Sequence, residues 1–204
     1  MLNLAVFGSG SGSNYQAIAD AIAAGTLNAR IVCVIADNKE ALILERARKA
    51  GHPAIHLDCT PFKTKLDGDA EQRAIELIKE HGGDFIVLAG FMRIIKPGLL
   101  RAFAGRIVNI HPSLLPDFPG LAAGRQALEA GVSETGCTVH FVDRGTDSGP
   151  VILQQPVPVL KDDSEETLSE RILIQEHLLL PRAVCLIARG LVTVKGRKVF
   201  IRED

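Results

Sequence analysis

Along the first half of the chain, short apolar runs alternate with stretches in which apolar residues recur every three or four positions. "LNLAVF" is followed by a helical pattern from Asn14, "ARIVCVIAD" by another from Glu40, and "PAIHL" by one that ends near His81, after which comes "DFIVLAG". Strands alternating with helices predict βαβ units and a largely parallel sheet. The runs Val32–Ile35 and Phe85–Leu88 are apolar throughout, as strands covered on both faces should be. "RIVNIH" reads as a fifth strand after a short helix opened by Pro97, and "TVHFV" and "VILQQPVPV" supply later strands. From Asp163 or Ser164, "DSEETLSERILIQEHLLLPRAVCLIARG" predicts one long amphipathic helix stopped by Gly190, with a kink at Pro181. The tail "LVTVKGRKVFIRED" predicts a hairpin turning at Gly196. With no internal repeat and no linker, the expected fold is α/β: one Rossmann-like domain over 1–204, its mostly parallel sheet covered by helices on both faces and followed by the hairpin.

Composition narrows the function rather than the fold. The chain has 204 residues, 47% of them apolar, and a formal net charge of −1. A nucleic-acid binder needs a concentrated basic surface, which this balance disfavours, so the expected partner is a small molecule. The four cysteines lie far apart without a C-x-x-C pair and read as reduced core thiols, with no metal site expected. The opening "MLNLAVFGSG" lacks a basic leader and its apolar run is too short to cross a membrane, so the expected location is the cytoplasm.

Two stretches carry candidate chemistry. "FGSGSGSN" sits between the first strand and the first helix, where backbone N–H groups and a positive helix end can receive a phosphate. Ser13 replaces the third glycine of a dinucleotide fingerprint, although Asp37 stands where a ribose-binding acid would. The competing readings are a flexible turn with Ser13 as an ordinary N-cap, and Asp37-Asn38 as a simple turn. The second stretch is "NIHPSLLPDFPG". Asn109 and His111, two apart on a strand, project to one face at its carboxyl end. An amide beside an imidazole offers two donors to one developing oxyanion, and the prolines limit how far the pair can move. A packed, hydrogen-bonded histidine is the alternative. "VDRGTDSGP" adds Asp143 and Asp147, which serve either to set the charge of His111 or merely to make turns.

"NIHPSLLPDFPG", "VLAGFMRII", "TVHFV" with "DSGPVILQ", the opening "GSN" and the "QEH" of the long helix together resemble the glycinamide ribonucleotide formyltransferases, folate-dependent enzymes of purine biosynthesis. The resemblance covers nearly the whole chain. It implies Asn109, His111 and Asp147 as the catalytic set. Gly12, Ser13 and Asn14 match a turn that cradles the phosphate of the ribonucleotide, and Glu176 matches an acid that contacts its ribose. Met92, Arg93, Ile94 and Ile95, with Asn109, match the wall that holds the folate; Lys65, or Lys63, falls near a basic position facing that co-substrate. A phosphate-binding N-terminal half and a folate-binding C-terminal half follow, in a monomer or weak homodimer. The chain departs from the pattern at Ala122, Ala123 and Gly124, where such enzymes carry a histidine. His140 in "TVHFV" reads equally as a core residue and as a site residue.

The implied reaction moves the formyl group of 10-formyltetrahydrofolate to the amine of 5-phosphoribosylglycinamide. The amine is the nucleophile, so no acyl-enzyme is required. Asn109 and protonated His111 would meet the oxyanion, and Asp147 would raise the pKa of His111 and help pass the proton. The Met92–Ile95 and Asp143–Asp147 loops would clasp the pterin. A formyltetrahydrofolate deformylase would share the Asn/His/Asp set but is expected to carry a further N-terminal domain, and an initiator-tRNA formyltransferase a further C-terminal one. A nucleotide-binding module without chemistry would use the glycine turn and Asp37 alone.

Overall fold

The structure, a computed structural model, describes residues 1–202. The chain divides into two compact units, Met1–Asn109 and Ile110–Asp204. In the first, β1 (Leu2–Phe7), α1 (Ser13–Ala23), β2 (Ala29–Ala36), α2 (Leu42–Lys49) and β3 (Ala54–His56) are followed by β4 (Lys65–Leu66), α3 (Gly68–Glu80), β5 (Phe85–Leu88), β6 (Ile94–Ile95), α4 (Pro97–Ala102) and the start of β7 (Ile107–His111). The strands β3-β2-β1-β5-β7 lie side by side in that order, all parallel. Leu4–Phe7, Cys33–Ala36 and Ile86–Val87 are fully buried, which explains why their sequences show no polar alternation. α3 starts where it does because the Asp67 carboxylate accepts a hydrogen bond from Gly68 N–H, with Asp69 and Glu71 in the first turn against the positive helix end.

The second unit holds the end of β7, α5 (Ala123–Ala130), β8 (Glu134–Phe141), β9 (Val151–Pro158), α6 (Glu165–Ala188), β10 (Val192–Lys195) and β11 (Lys198–Ile201). β8 and β9 are antiparallel, with a register shift between Val139 and His140. They end a mixed, mostly parallel seven-stranded sheet of order β3-β2-β1-β5-β7-β8-β9. α6 is opened by a capping box of Ser164 and Thr167, a device worth about 1 kcal/mol, and continues through Pro181. Gly190 follows it in the left-handed region, with φ 68°, and the hairpin turns at Gly196.

The departures from the expected elements are small. α2 begins at Leu42 rather than Glu40. The stretch "AGRQALEA" forms α5, an element that the pattern of apolar positions did not predict; eight residues, half of them Ala or Gly, give the periodicity little to register. The two-residue strands β4 and β6 pair in parallel and are too short for any alternation to reveal. Among the described residues no helix is long and apolar enough to cross a membrane.

Candidate active site

In the first unit the glycine turn is clamped. Gly8 N–H donates to the Ile35 carbonyl (3.1 Å) and Ser9 N–H to the Gly90 carbonyl (3.0 Å), while the Gly10 carbonyl accepts from Ile43 N–H (3.1 Å). The Ser11 carbonyl accepts from Arg46 Nε at 2.8 Å. A Cβ on Gly12 would fall 2.7 Å from the Ile43 Cα, and Gly12 has φ +75°, so only glycine fits where the turn crosses α2. A Cβ on Gly10 would meet nothing within 4 Å, which marks the open side of the turn. Ser13 is the first helical residue and Gly12 takes the N-cap position without a side-chain cap, so the expected capping role of Ser13 is corrected. The main-chain N–H groups of Ser13, Asn14 and Tyr15 lie in the first turn of α1, at the positive end of the helix, an arrangement suited to an anion.

The expected folate wall lies in the same unit and has two kinds of side chain. Met92 and Ile94 are exposed while Ile95 is buried. Arg93 turns inward: its Nε pairs with Asp37 Oδ2 at 2.6 Å, both side chains being about a tenth exposed, and its Nη1 donates to the Phe62 carbonyl at 2.6 Å. Asp37, the residue a dinucleotide module would use, is thus engaged by Arg93. Lys65 stands opposite Ile94 in the β4–β6 register, but its ammonium is 2.7 Å from Asp67 Oδ2 and 4.3 Å from the Phe62 ring centroid. Both cations are committed to internal partners, so the wall offers mainly two apolar side chains and main chain.

In the second unit three titratable side chains meet. His111 Nδ1 is 3.3 Å from Asp147 Oδ2, and His140 Nε2 is 3.6 Å from Asp147 Oδ1. Each imidazole has its other nitrogen against a backbone carbonyl, His111 Nε2 at 2.9 Å from Phe118 O and His140 Nδ1 at 2.9 Å from Phe141 O. Asp147 Oδ2 also accepts from Gly120 N–H at 2.8 Å. Burial pushes the His111 pKa below its ordinary 6.5; the Phe118 carbonyl and the Asp147 charge push the other way and are outweighed. Asp147 thus acts to raise the pKa of His111, as expected, while burial sets the net direction. For Asp147, burial acts to raise the pKa, but the hydrogen bonds from His140 and Gly120 and the nearby imidazoles bring it below its ordinary value. A carboxylate between two rings that both face acceptors makes a place where one added proton is well received.

The proline-rich loop is fixed from below. Thr138 Oγ1, on β8, donates to the Ser113 carbonyl at 2.7 Å and accepts from Leu115 N–H at 3.1 Å. Phe118, Ala122 and Asp147 hold positive φ of 53°, 55° and 48°, a conformation costing about 1–3 kcal/mol for each such residue. Two of these strained residues supply the groups that His111 meets. Such strain persists only where surrounding contacts over-determine it, and here they do.

A profile of the Formyl transferase family matches residues 2–184. The chain belongs to the formyl transferase family. It is 44% identical to the phosphoribosylglycinamide formyltransferase of Escherichia coli (strain K12), over 93% of this chain and 88% of that one. It is 49% identical to the trifunctional purine biosynthetic protein adenosine-3 of Drosophila pseudoobscura pseudoobscura over 92% of this chain, and spans only 14% of that protein's length. The crystal structure of glycinamide ribonucleotide transformylase 1 from Symbiobacterium toebii superposes with a TM-score of 0.95 at 47% identity, covering 100% of this chain and 95% of that one. A formyltetrahydrofolate deformylase from Pseudomonas syringae pv. tomato gives a TM-score of 0.89 at 27% identity, with 100% of this chain and 67% of that one covered.

In this formyl transferase the residues singled out from sequence fall in both units. Gly12, Ser13 and Asn14 are contiguous at the start of α1, and Asn109 ends the first unit, paired in register with Leu88 on β5. His111 and Asp147 meet as expected. Glu176 lies on α6, buried at 7% exposure, near enough to Cys137 that its charge adds to burial in pushing that thiol up to about 12. His140, ambiguous in the sequence, joins His111 on the one carboxylate; its place on the strand just before the Asp147 loop was the available signal. Phe118 and Gly120 act through main-chain atoms, which no side-chain pattern reports.

Proposed function

We propose that the chain transfers the formyl group of 10-formyltetrahydrofolate to the amine of 5-phosphoribosylglycinamide, giving formylglycinamide ribonucleotide and tetrahydrofolate. The observation that carries this reading is the pair His111–Asp147, joined by His140, in a member of the formyl transferase family. The deprotonated amine attacks the formyl carbon, a C–N bond forms, and the carbonyl oxygen becomes an oxyanion. Asn109, two residues before His111 on β7, supplies an amide donor to that oxygen, and His111 the second. The nucleophilic nitrogen must lose a proton and the departing folate nitrogen must gain one. His111 is suited to carry it because burial keeps the ring neutral before reaction, while Asp147 stabilises the imidazolium once formed. Collapse of the adduct breaks the bond to the folate nitrogen and restores the carbonyl.

In this reading the clamped turn and the N-terminus of α1 receive the phosphate through Gly12, Ser13 and Asn14, and Glu176 contacts the ribose. Met92 and Ile94 cover the folate with their exposed apolar side chains, whereas Arg93 and Lys65 contribute by holding the wall rather than by presenting charge. Steady-state transfer with both substrates tests the assignment. Asn109→Ala is expected to lose about a hundredfold or more in kcat, the usual cost of one oxyanion donor, and His111→Ala at least as much. Turnover undiminished in either variant would remove that residue from the mechanism.

A further inference from the structure

The C-terminal hairpin has no part in the chemistry above, yet its tip reaches the loop that carries Asp147. A groove of about 550 Å³ opens between them, lined by Leu115, Pro116, Asp147, Val151, Arg197 and Phe200 among others. Arg197 bridges them: its Nη1 is 3.4 Å from Asp143 Oδ2 and its Nη2 donates a hydrogen bond to the Ser148 carbonyl. Asp143 in turn organises the loop, its Oδ1 accepting from Gly145 N–H at 3.0 Å and from Ser148 Oγ at 2.7 Å. At the far end the backbone is tightly held, since a Cβ on Gly149 would lie 1.7 Å from the Phe141 carbonyl oxygen. Asp147, with its left-handed φ of 48°, sits between these two points.

We propose that Arg197 is a positioning residue: from the hairpin tip it ties down Asp143 and the Ser148 carbonyl, and so fixes the 143–148 loop in the conformation that presents Asp147 to His111. Its kinetic consequence rests on the formyl-transfer reading; its structural consequence does not. An exposed ion pair alone is a weak tether, but here it is combined with a charge-assisted hydrogen bond to the main chain, and the two grip the loop on either side of its catalytic carboxylate.

Two variants test this in the full chain. Arg197→Ala removes both contacts, and Asp143→Asn weakens the ion pair while keeping the positive charge of Arg197 in place. In both, amide hydrogen exchange of residues 144–149 without ligand is expected to quicken, by about fivefold for Arg197→Ala. For the same variant kcat/KM for the formyl donor is expected to fall about tenfold, with KM for the ribonucleotide unchanged within about twofold. Unchanged exchange in both variants would overturn the tether whatever the activity. Faster exchange with an undiminished kcat/KM for the donor would overturn its kinetic role. An inactive parent enzyme would refute the formyl-transfer reading, and the exchange measurement would still decide the tether.

Discussion

Replacing Asp147 by asparagine tests the proton-handling role with little change of shape. The amide oxygen can still accept from Gly120 N–H, which now lies 2.8 Å from the carboxylate, so the loop keeps that anchor. What is lost is the negative charge 3.3 Å from His111 Nδ1 and 3.6 Å from His140 Nε2. Unit charges 3.3 Å apart attract by about 5 kcal/mol at an effective dielectric of about 20. Removing one partner of a buried pair costs on the order of 3 kcal/mol after solvation responds, or about two orders of magnitude in kcat. The sign of the pH effect is also fixed. Burial already holds the His111 pKa low against the opposing Phe118 carbonyl and Asp147 charge, and without Asp147 only the carbonyl opposes it, so the ring protonates less readily. Single-turnover formyl transfer should therefore fall about a hundredfold, with the acid limb of its pH profile and the optimum moved to lower pH. A loss of less than about threefold, or an optimum that stays put or moves to alkaline pH, would refute the assignment of Asp147 as the charge that supports His111.

Arg93→Met should cost about 3–5 kcal/mol in urea unfolding, because it strands the Asp37 carboxylate in a buried setting; adding Asp37→Leu should recover much of the loss, as apolar replacements of buried pairs do. A single-variant cost below about 1 kcal/mol would mean that the pair does not brace the wall. Stability of the parent should also fall in mild acid. Burial lowers the pKa of His52, His111 and His177 below their ordinary 6.5, so the unfolded chain binds more protons than the folded one as the pH drops through that value, and the unfolding free energy declines by up to about 1.4 kcal/mol per pH unit for each full proton. Denaturant midpoints that are flat between neutral pH and the pH at which carboxylates titrate would contradict this.

Much of this was legible in the chain because parallel strands buried on both faces write themselves as unbroken apolar runs, as at Phe85–Leu88, and because the Asn109-x-His111 spacing is a strand-face argument that needs no tertiary information. The site was readable where side chains carry it. It was not readable where the main chain does: the Phe118 carbonyl and the Gly120 N–H are set by left-handed backbone at Phe118, Ala122 and Asp147, and none of these is a glycine that would announce it. The inward turn of Arg93 could not be foreseen either, since it precedes a strand of only two residues that shows no alternation and the partner, Asp37, comes from a distant turn. The net lowering of the His111 pKa depends on how completely the ring is enclosed, a property of packing rather than of neighbours in sequence.

The most direct test uses 10-formyltetrahydrofolate carrying a ¹³C-labelled formyl carbon, incubated with the enzyme and 5-phosphoribosylglycinamide, with the label followed by NMR. Label appearing in the amide of formylglycinamide ribonucleotide, and only when the ribonucleotide is present, is the expected result. Label released as free formate at the same rate with or without the ribonucleotide would contradict formyl transfer and assign the His111–Asp147 pair to hydrolysis instead.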